Sequence, residues 1–129
     1  MSEERTCKPL PRLSREQVLA AIESDDTDVL IHAALSTATN DPDWKVAQEL
    51  CIRLSDHPHA TVRGNAILAI GYVARSHQKP EKRLVKPILP RARRDPELDV
   101  RDRAEYAIAA VNRTMRGRIG NKRRHKVTP

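Results

Sequence analysis

The sequence predicts an all-α fold, a right-handed α-solenoid of three antiparallel helical hairpins. Three observations predict it. Apolar residues recur at helical spacing along most of the chain. Three X-Pro dipeptides, Asp41-Pro42, His57-Pro58 and Asp95-Pro96, are each followed by Val four residues past the Pro and by Ala or Leu eight past it. Two of these segments, Pro58 to Ala66 and Pro96 to Ala104, align residue by residue at 38 positions apart, a helical-repeat period. The composition fits. The hydrophobic fraction is 39%, there is no Phe, and Trp44, Tyr72 and Tyr106 are the only aromatics. Ala, Val, Ile and Leu must therefore do the packing, which suits helices that approach closely.

Each element has a local reason. Residues 1–13 read as a flexible leader broken by Pro9 and Pro11. Ser14 with Gln17 three residues on makes a capping-box pattern, and Val18, Leu19 and Ile22 follow, predicting a helix over 14–23. After the polar loop at 25–28, Val29, Leu30, Ala33, Ala34 and Ala38 give a second stripe, over 27–39. Asp41-Pro42 opens a helix over 43–55 and His57-Pro58 one over 59–76. Asp95-Pro96 opens the last, over 97–114. Pro suits a first helical turn because its missing N–H has no partner there. Asp41 and Asp95 are placed to cap, and Asp43 and Glu97 to complement the positive helix end. Residues 81–93 form the remaining helix, which Pro87 and Pro90 should bend or shorten. The organisation expected is a leader (1–13), a repeat domain (14–114) and a basic disordered tail (115–129).

Residues 84–111 resemble a HEAT repeat: an aliphatic helix carrying Pro, an Asp-Pro turn, then Val100-Arg101 before the small-residue helix from Ala104. Residues 46–74 look like a second copy, through Val62-Arg63 and Ala66 to Gly71. The resemblance implies a small freestanding HEAT-like (armadillo-like, lyase-type) member whose second helices, 27–39, 59–76 and 97–114, line a concave side. It also implies that Arg63 and Arg101 tie neighbouring repeats together through Asp56, Asp95 or Asp99.

Charge is unevenly placed. Residues 1–60 carry 6 basic and 11 acidic side chains, residues 61–112 carry 11 and 6, and residues 113–129 carry 7 and none. The net charge of +7 therefore belongs to the tail. Cys51 sits in an apolar helical stretch and reads as a small core residue, whereas Cys7 lies in the leader. Two such cysteines make no disulfide framework. Acids stand near the N-terminus where a signal peptide has basic residues, and no run reaches transmembrane length. A cytoplasmic protein without a membrane span is expected.

Motifs for chemistry are sparse. No Gly-rich phosphate loop or nucleophile elbow occurs, and His57-x-His59 lacks the companions of a metal site, so a turn explains it best. No catalytic residue, metal or cofactor is expected, and the chain is expected not to be an enzyme. Trp44, Tyr72 and Tyr106, with Asp102 and Glu105, are candidate partner contacts; packing between repeats is the competing reading of the aromatics. Arg116, Arg118, Lys122, Arg123, Arg124 and Lys126 form a basic arm that either stays solvated or neutralises phosphates. The function expected is a non-catalytic protein-binding module, in bacteria resembling an immunity protein that masks a toxin domain. The acidic N-terminal half would then meet a basic toxin surface. The alternatives are nucleic-acid binding through the C-terminal half and tail, and a scaffold or adaptor for an enzyme.

Overall fold

The computed structural model describes residues 12–77 and 82–115. Expectations for the leader up to residue 11, for Cys7 and for the tail past residue 115 lie outside the described residues. Those residues form only helices and connecting loops. The helices are α1 (Arg15–Ser24), α2 (Thr27–Asn40), α3 (Trp44–Leu54), α4 (Ala60–His77), α5 (Lys82–Val85), α6 (Ile88–Ala92) and α7 (Leu98–Met115). The chain is all-α over this range, and no helix in it is long and apolar enough to cross a membrane.

The first turn is held by a reciprocal capping box. The Ser14 hydroxyl accepts from the Gln17 N–H at 3.1 Å, and the Gln17 side chain accepts from the Ser14 N–H at 2.8 Å. Asp25 ends α1 in the left-handed region, at φ 54°. There its N–H reaches back to the Ala21 and Ile22 carbonyls, and short polar residues tolerate this conformation.

The three X-Pro segments depart from expectation in one respect. The helices begin two residues past each Pro, at Trp44, Ala60 and Leu98. Asp41 and Asp95 are therefore not the N-caps of the helices that follow. Each folds over its own Pro and accepts the N–H two residues on, Asp43 at 2.9 Å and Glu97 at 2.9 Å, in the manner of an Asx turn. His57 does the same with its ring, Nδ1 accepting from the His59 N–H at 3.0 Å. The capping role passes to Asp43, which accepts from the N–H groups of Lys45 and Val46. At α4, His59 takes it, with Nδ1 accepting from Thr61 at 3.2 Å. This accounts for the His57-x-His59 pair as turn chemistry.

The prolines divide the expected helix 81–93 into α5 and α6. Pro87 ends the first piece because the residue after Val85-Lys86 cannot donate. Pro90 is tolerated as the third residue of α6, within the turn whose N–H groups lack intrahelical acceptors.

The core is aliphatic and rich in Ala. Ala33, Ala34, Ala66, Ala69, Ala74, Ala104, Ala107 and Ala110 are fully buried beside Leu30, Ile67, Ile70, Leu89, Val100 and Val111. Small side chains let backbones close on each other, and α4 exploits this most: it packs on α2, α3 and α7 at once. Further contacts join α1 with α2, α2 with α3, α5 with α6, and α6 with α7. Helices α2, α4 and α7 thus form a row with α4 in the middle. Neighbours α4 and α7 run parallel, since Gly64 lies by Val100 and Arg103 while Gly71 lies by Tyr106 and Ala107. Cys51 is part of this core, and burial pushes its thiol up to about 12.

Buried polar groups are few, and two of them, Asn65 and Ser36, bond between elements. Asn65 donates to the Ile31 carbonyl of α2 at 2.7 Å and accepts from Arg103 of α7 at 2.6 Å. One side chain thereby links all three helices of the row. Ser36 accepts the Leu13 N–H at 2.9 Å, which fastens the segment before α1 to α2.

Candidate interaction face

Helix α4 is buried on three sides, and its uncovered strip is narrow. Thr61, Leu68, Tyr72 and Arg75 occupy it at helical spacing, half-buried or exposed, while Ala66, Ile67, Ala69, Ile70, Val73 and Ala74 face the neighbours. Beside it on α7 stand Asp99, Arg103 and Tyr106, none of them buried.

Its centre is an ordered aromatic pair. Tyr72 and Tyr106 meet edge to face, with ring centroids 6.0 Å apart and planes at 88°. Tyr106 reaches this position because Gly71 has no side chain: a Cβ there would lie 2.7 Å from Tyr106 Cε2 and 3.1 Å from the Ala107 Cα. Arg75, one turn along α4, donates from Nη1 to the Tyr106 hydroxyl oxygen at 3.1 Å. That bond favours the charged guanidinium and raises its pKa further. At the other end Gly64 leaves room for the Arg103 stem, whose Cδ would lie 3.3 Å from a Cβ, on its way to Asn65.

Gly71→Ala weighs two effects of opposite sign. Replacing a mid-helix Gly gains about 1 kcal/mol of helix propensity. Overpacking costs about 1–3 kcal/mol, here at the upper end because one close atom is backbone and cannot swing away. We expect a net loss of about 1–2 kcal/mol, read as a fall in melting temperature of roughly 5–10 °C. A variant melting above the wild type would show that the two helices are not in contact here.

The other residues singled out in the sequence are dispersed. Trp44 begins α3, half-buried, with the Lys45 ammonium 5.8 Å from its ring centroid. It is not brought to the tyrosines. Asp102 and Glu105 are exposed on α7, and Glu105 accepts from Arg93 of the α6–α7 connection at 2.9 Å. Arg63 and Asp95 meet in a two-pronged ion pair at 2.7 and 2.9 Å. Arg63 also donates to the His57 and Pro58 carbonyls, and so ties the turn before α4 to the turn before α7. Arg101 makes the equivalent bonds to the Asp95 and Pro96 carbonyls of its own turn. Asp56, one of the three expected acceptors, sits instead 3.7 Å from the exposed Arg91. The six basic residues of the tail lie outside the described residues.

Arg75, Asn65 and Gly71 were not picked out from the sequence. A signal existed for Asn65: the alignment of 58–66 with 96–104 sets it opposite Arg103, two polar residues each just before a buried Ala. Comparison with protein-family models, curated proteins and solved structures finds no match to this chain. The reading of this face rests on its own residues.

Proposed function

We propose that the chain is a non-catalytic protein-binding module, a short right-handed α-solenoid of three antiparallel HEAT-like hairpins. In this reading α1 with α2, α3 with α4, and α5–α6 with α7 are successive hairpins, and α2, α4 and α7 line the inner side. The carbon copy of turn chemistry at Arg63 and Arg101, each binding the carbonyls five and six residues back, supports a repeated unit. The observation that carries the binding role is the pre-ordered cluster of Tyr72, Tyr106 and Arg75 along the one uncovered strip of α4. Tyr and Arg dominate interface energetics, and here their rotamers are set in advance, which lowers the entropy lost on docking.

The exposed acids of the N-terminal half, among them Glu23, Asp25, Asp28 and Glu49, support a basic surface on the partner, as the immunity reading holds. The test is a paired bait experiment in native lysate with wild-type protein and Leu68→Glu, which places a charge midway along the inner strip. A protein captured stoichiometrically by the wild type and lost from the variant, with both baits melting alike, is the expected result. Capture of RNA or DNA in its place, or of a protein indifferent to Leu68→Glu, would overturn the reading.

A further inference from the structure

We propose that Arg75, Tyr72, Tyr106 and Arg113, at the C-terminal end of the α4–α7 face, receive a carboxylate-bearing segment of a protein partner. The inference deepens the binding reading by naming the chemistry of one contact. Arg75 is exposed and places one of its N–H groups on Tyr106. Because the Tyr106 oxygen accepts from Arg75, its own hydrogen remains to donate. Further guanidinium N–H groups and a phenolic O–H therefore stand side by side, donors of the kind a carboxylate accepts.

No acid on the same elements neutralises this spot. Helix α4 carries no Asp or Glu along its length. On α7, Asp99 and Asp102 lie in the N-terminal half and Glu105 is engaged by Arg93. The acids after α2 are also engaged: Asp41 with Arg15 at 2.9 Å and Asp43 with the start of α3. Among the described residues neither Arg75 nor Arg113 has an ion-pair partner.

Arg113 strengthens the same end. It stands 38 residues after Arg75, the period of the aligned segments, so the two arginines hold equivalent places on parallel neighbours. Packed helix axes lie about 8–10 Å apart, so the pair spans two or three residues of an extended segment. Two arginines without an acidic partner among the described residues thus stand at one end of the face, and an acidic segment is their complement. A nucleic acid fits less well. The tyrosines are locked edge to face, with one edge of Tyr106 against Gly71, and offer no flat platform on which bases stack.

The test is fluorescence anisotropy of dye-labelled poly-L-glutamate titrated with the full-length chain at low salt. Arg75→Gln and Arg113→Gln are each expected to weaken binding by about five- to tenfold, and Tyr106→Phe by about threefold. Arg53→Gln, the same charge change at an exposed site on α3, should stay within about twofold. Equal losses from Arg75→Gln and Arg53→Gln would reduce the effect to net charge and overturn the proposal. So would tighter binding of an oligothymidylate of equal charge. If lysate capture depends on Leu68 but not on Arg75, this proposal falls and the protein-binding reading stands. If polyglutamate binding depends on Arg75 while the baits capture no protein, the binding reading falls.

Discussion

Ala104→Asp is expected to abolish the cooperative unfolding transition altogether. Ala104 is fully buried in α7, between the fully buried Val100 and the buried Ile108 one turn to either side. A carboxylate there has no room and meets an apolar interior. It must either ionise in an apolar interior or take up a proton and still leave its hydroxyl unsatisfied. Either cost exceeds about 4 kcal/mol once the overpacking of three extra heavy atoms is added. A domain of this size has only about 5–15 kcal/mol to lose, and an aliphatic core without Phe places this one in the lower part of that range. Far-ultraviolet circular dichroism should therefore show a partly helical chain without a melting midpoint. Ala66→Asp, at the equivalent site on α4, should behave alike. Exposed Ala109→Asp on the same helix is the control and should melt near the wild type. A sharp transition in Ala104→Asp would mean that this face of α7 is open to water.

The elements most legible in the sequence are those whose signal is local. Ser14 and Gln17 lie three residues apart, and the capping box they suggest is the one that forms. Val62, Ala66, Val100 and Ala104 share a face by periodicity alone, and all four are buried. Trouble began where one residue type serves two local roles. An Asp before Pro reads equally as a helix cap and as an Asx turn; position decides, and the Pro pushes its predecessor out of helical geometry. Asp41 and Asp95 therefore close turns, and capping moves to Asp43. Between 81 and 93, Pro87 and Pro90 were expected to bend or shorten one helix, yet the backbone breaks into two pieces around them. Contacts across more than thirty residues carried at most a repeat signal: the Arg63–Asp95 pair was expected only through the resemblance. Asn65 reaching Ile31 and Arg103, and Arg75 reaching Tyr106, depend on how parallel helices align along their axes, which no single helix encodes. The tyrosines were noticed for what they are chemically; the glycine that seats one of them was not, because its role is the absence of an atom.

Asp95→Ala is expected to remove about 3 kcal/mol at neutral pH, the second-largest loss. Three interactions end with it: two Arg63 hydrogen bonds and the one from the Glu97 N–H. Arg63 is then left with its guanidinium mostly covered, since its side chain is 17% exposed and that of Asp95 11%. Breaking a fully buried pair from one side costs about 3–5 kcal/mol. This pair lines a solvent-open cleft of about 240 Å³, together with Ile88, Arg91 and Pro96, so water screens part of that cost. The Glu97 bond restores about 1 kcal/mol to the total. Removing both partners should hurt less than the sum of the single changes, with a coupling of at least about 1 kcal/mol in a double-mutant cycle of Arg63→Ala and Asp95→Ala. The same pair sets an acid limit. The Arg63 hydrogen bonds, then the Glu97 N–H, hold the Asp95 carboxyl below its ordinary value against the opposing effect of burial. A carboxylate depressed in the folded state stabilises the fold above its unfolded value near 3.9, and that contribution fades as pH falls through the folded value. Urea melts should therefore show wild type and Asp95→Ala well separated at pH 7 and at pH 5. Below about pH 4 the two should converge, as the wild type loses what the variant never had. Asp41, depressed by Arg15 in the same direction, adds to the acid sensitivity of both proteins equally and leaves the difference between them to report on Asp95 alone. A separation that persists unchanged to pH 3, or a cycle with no coupling, would mean that Arg63 and Asp95 do not hold the two turns together.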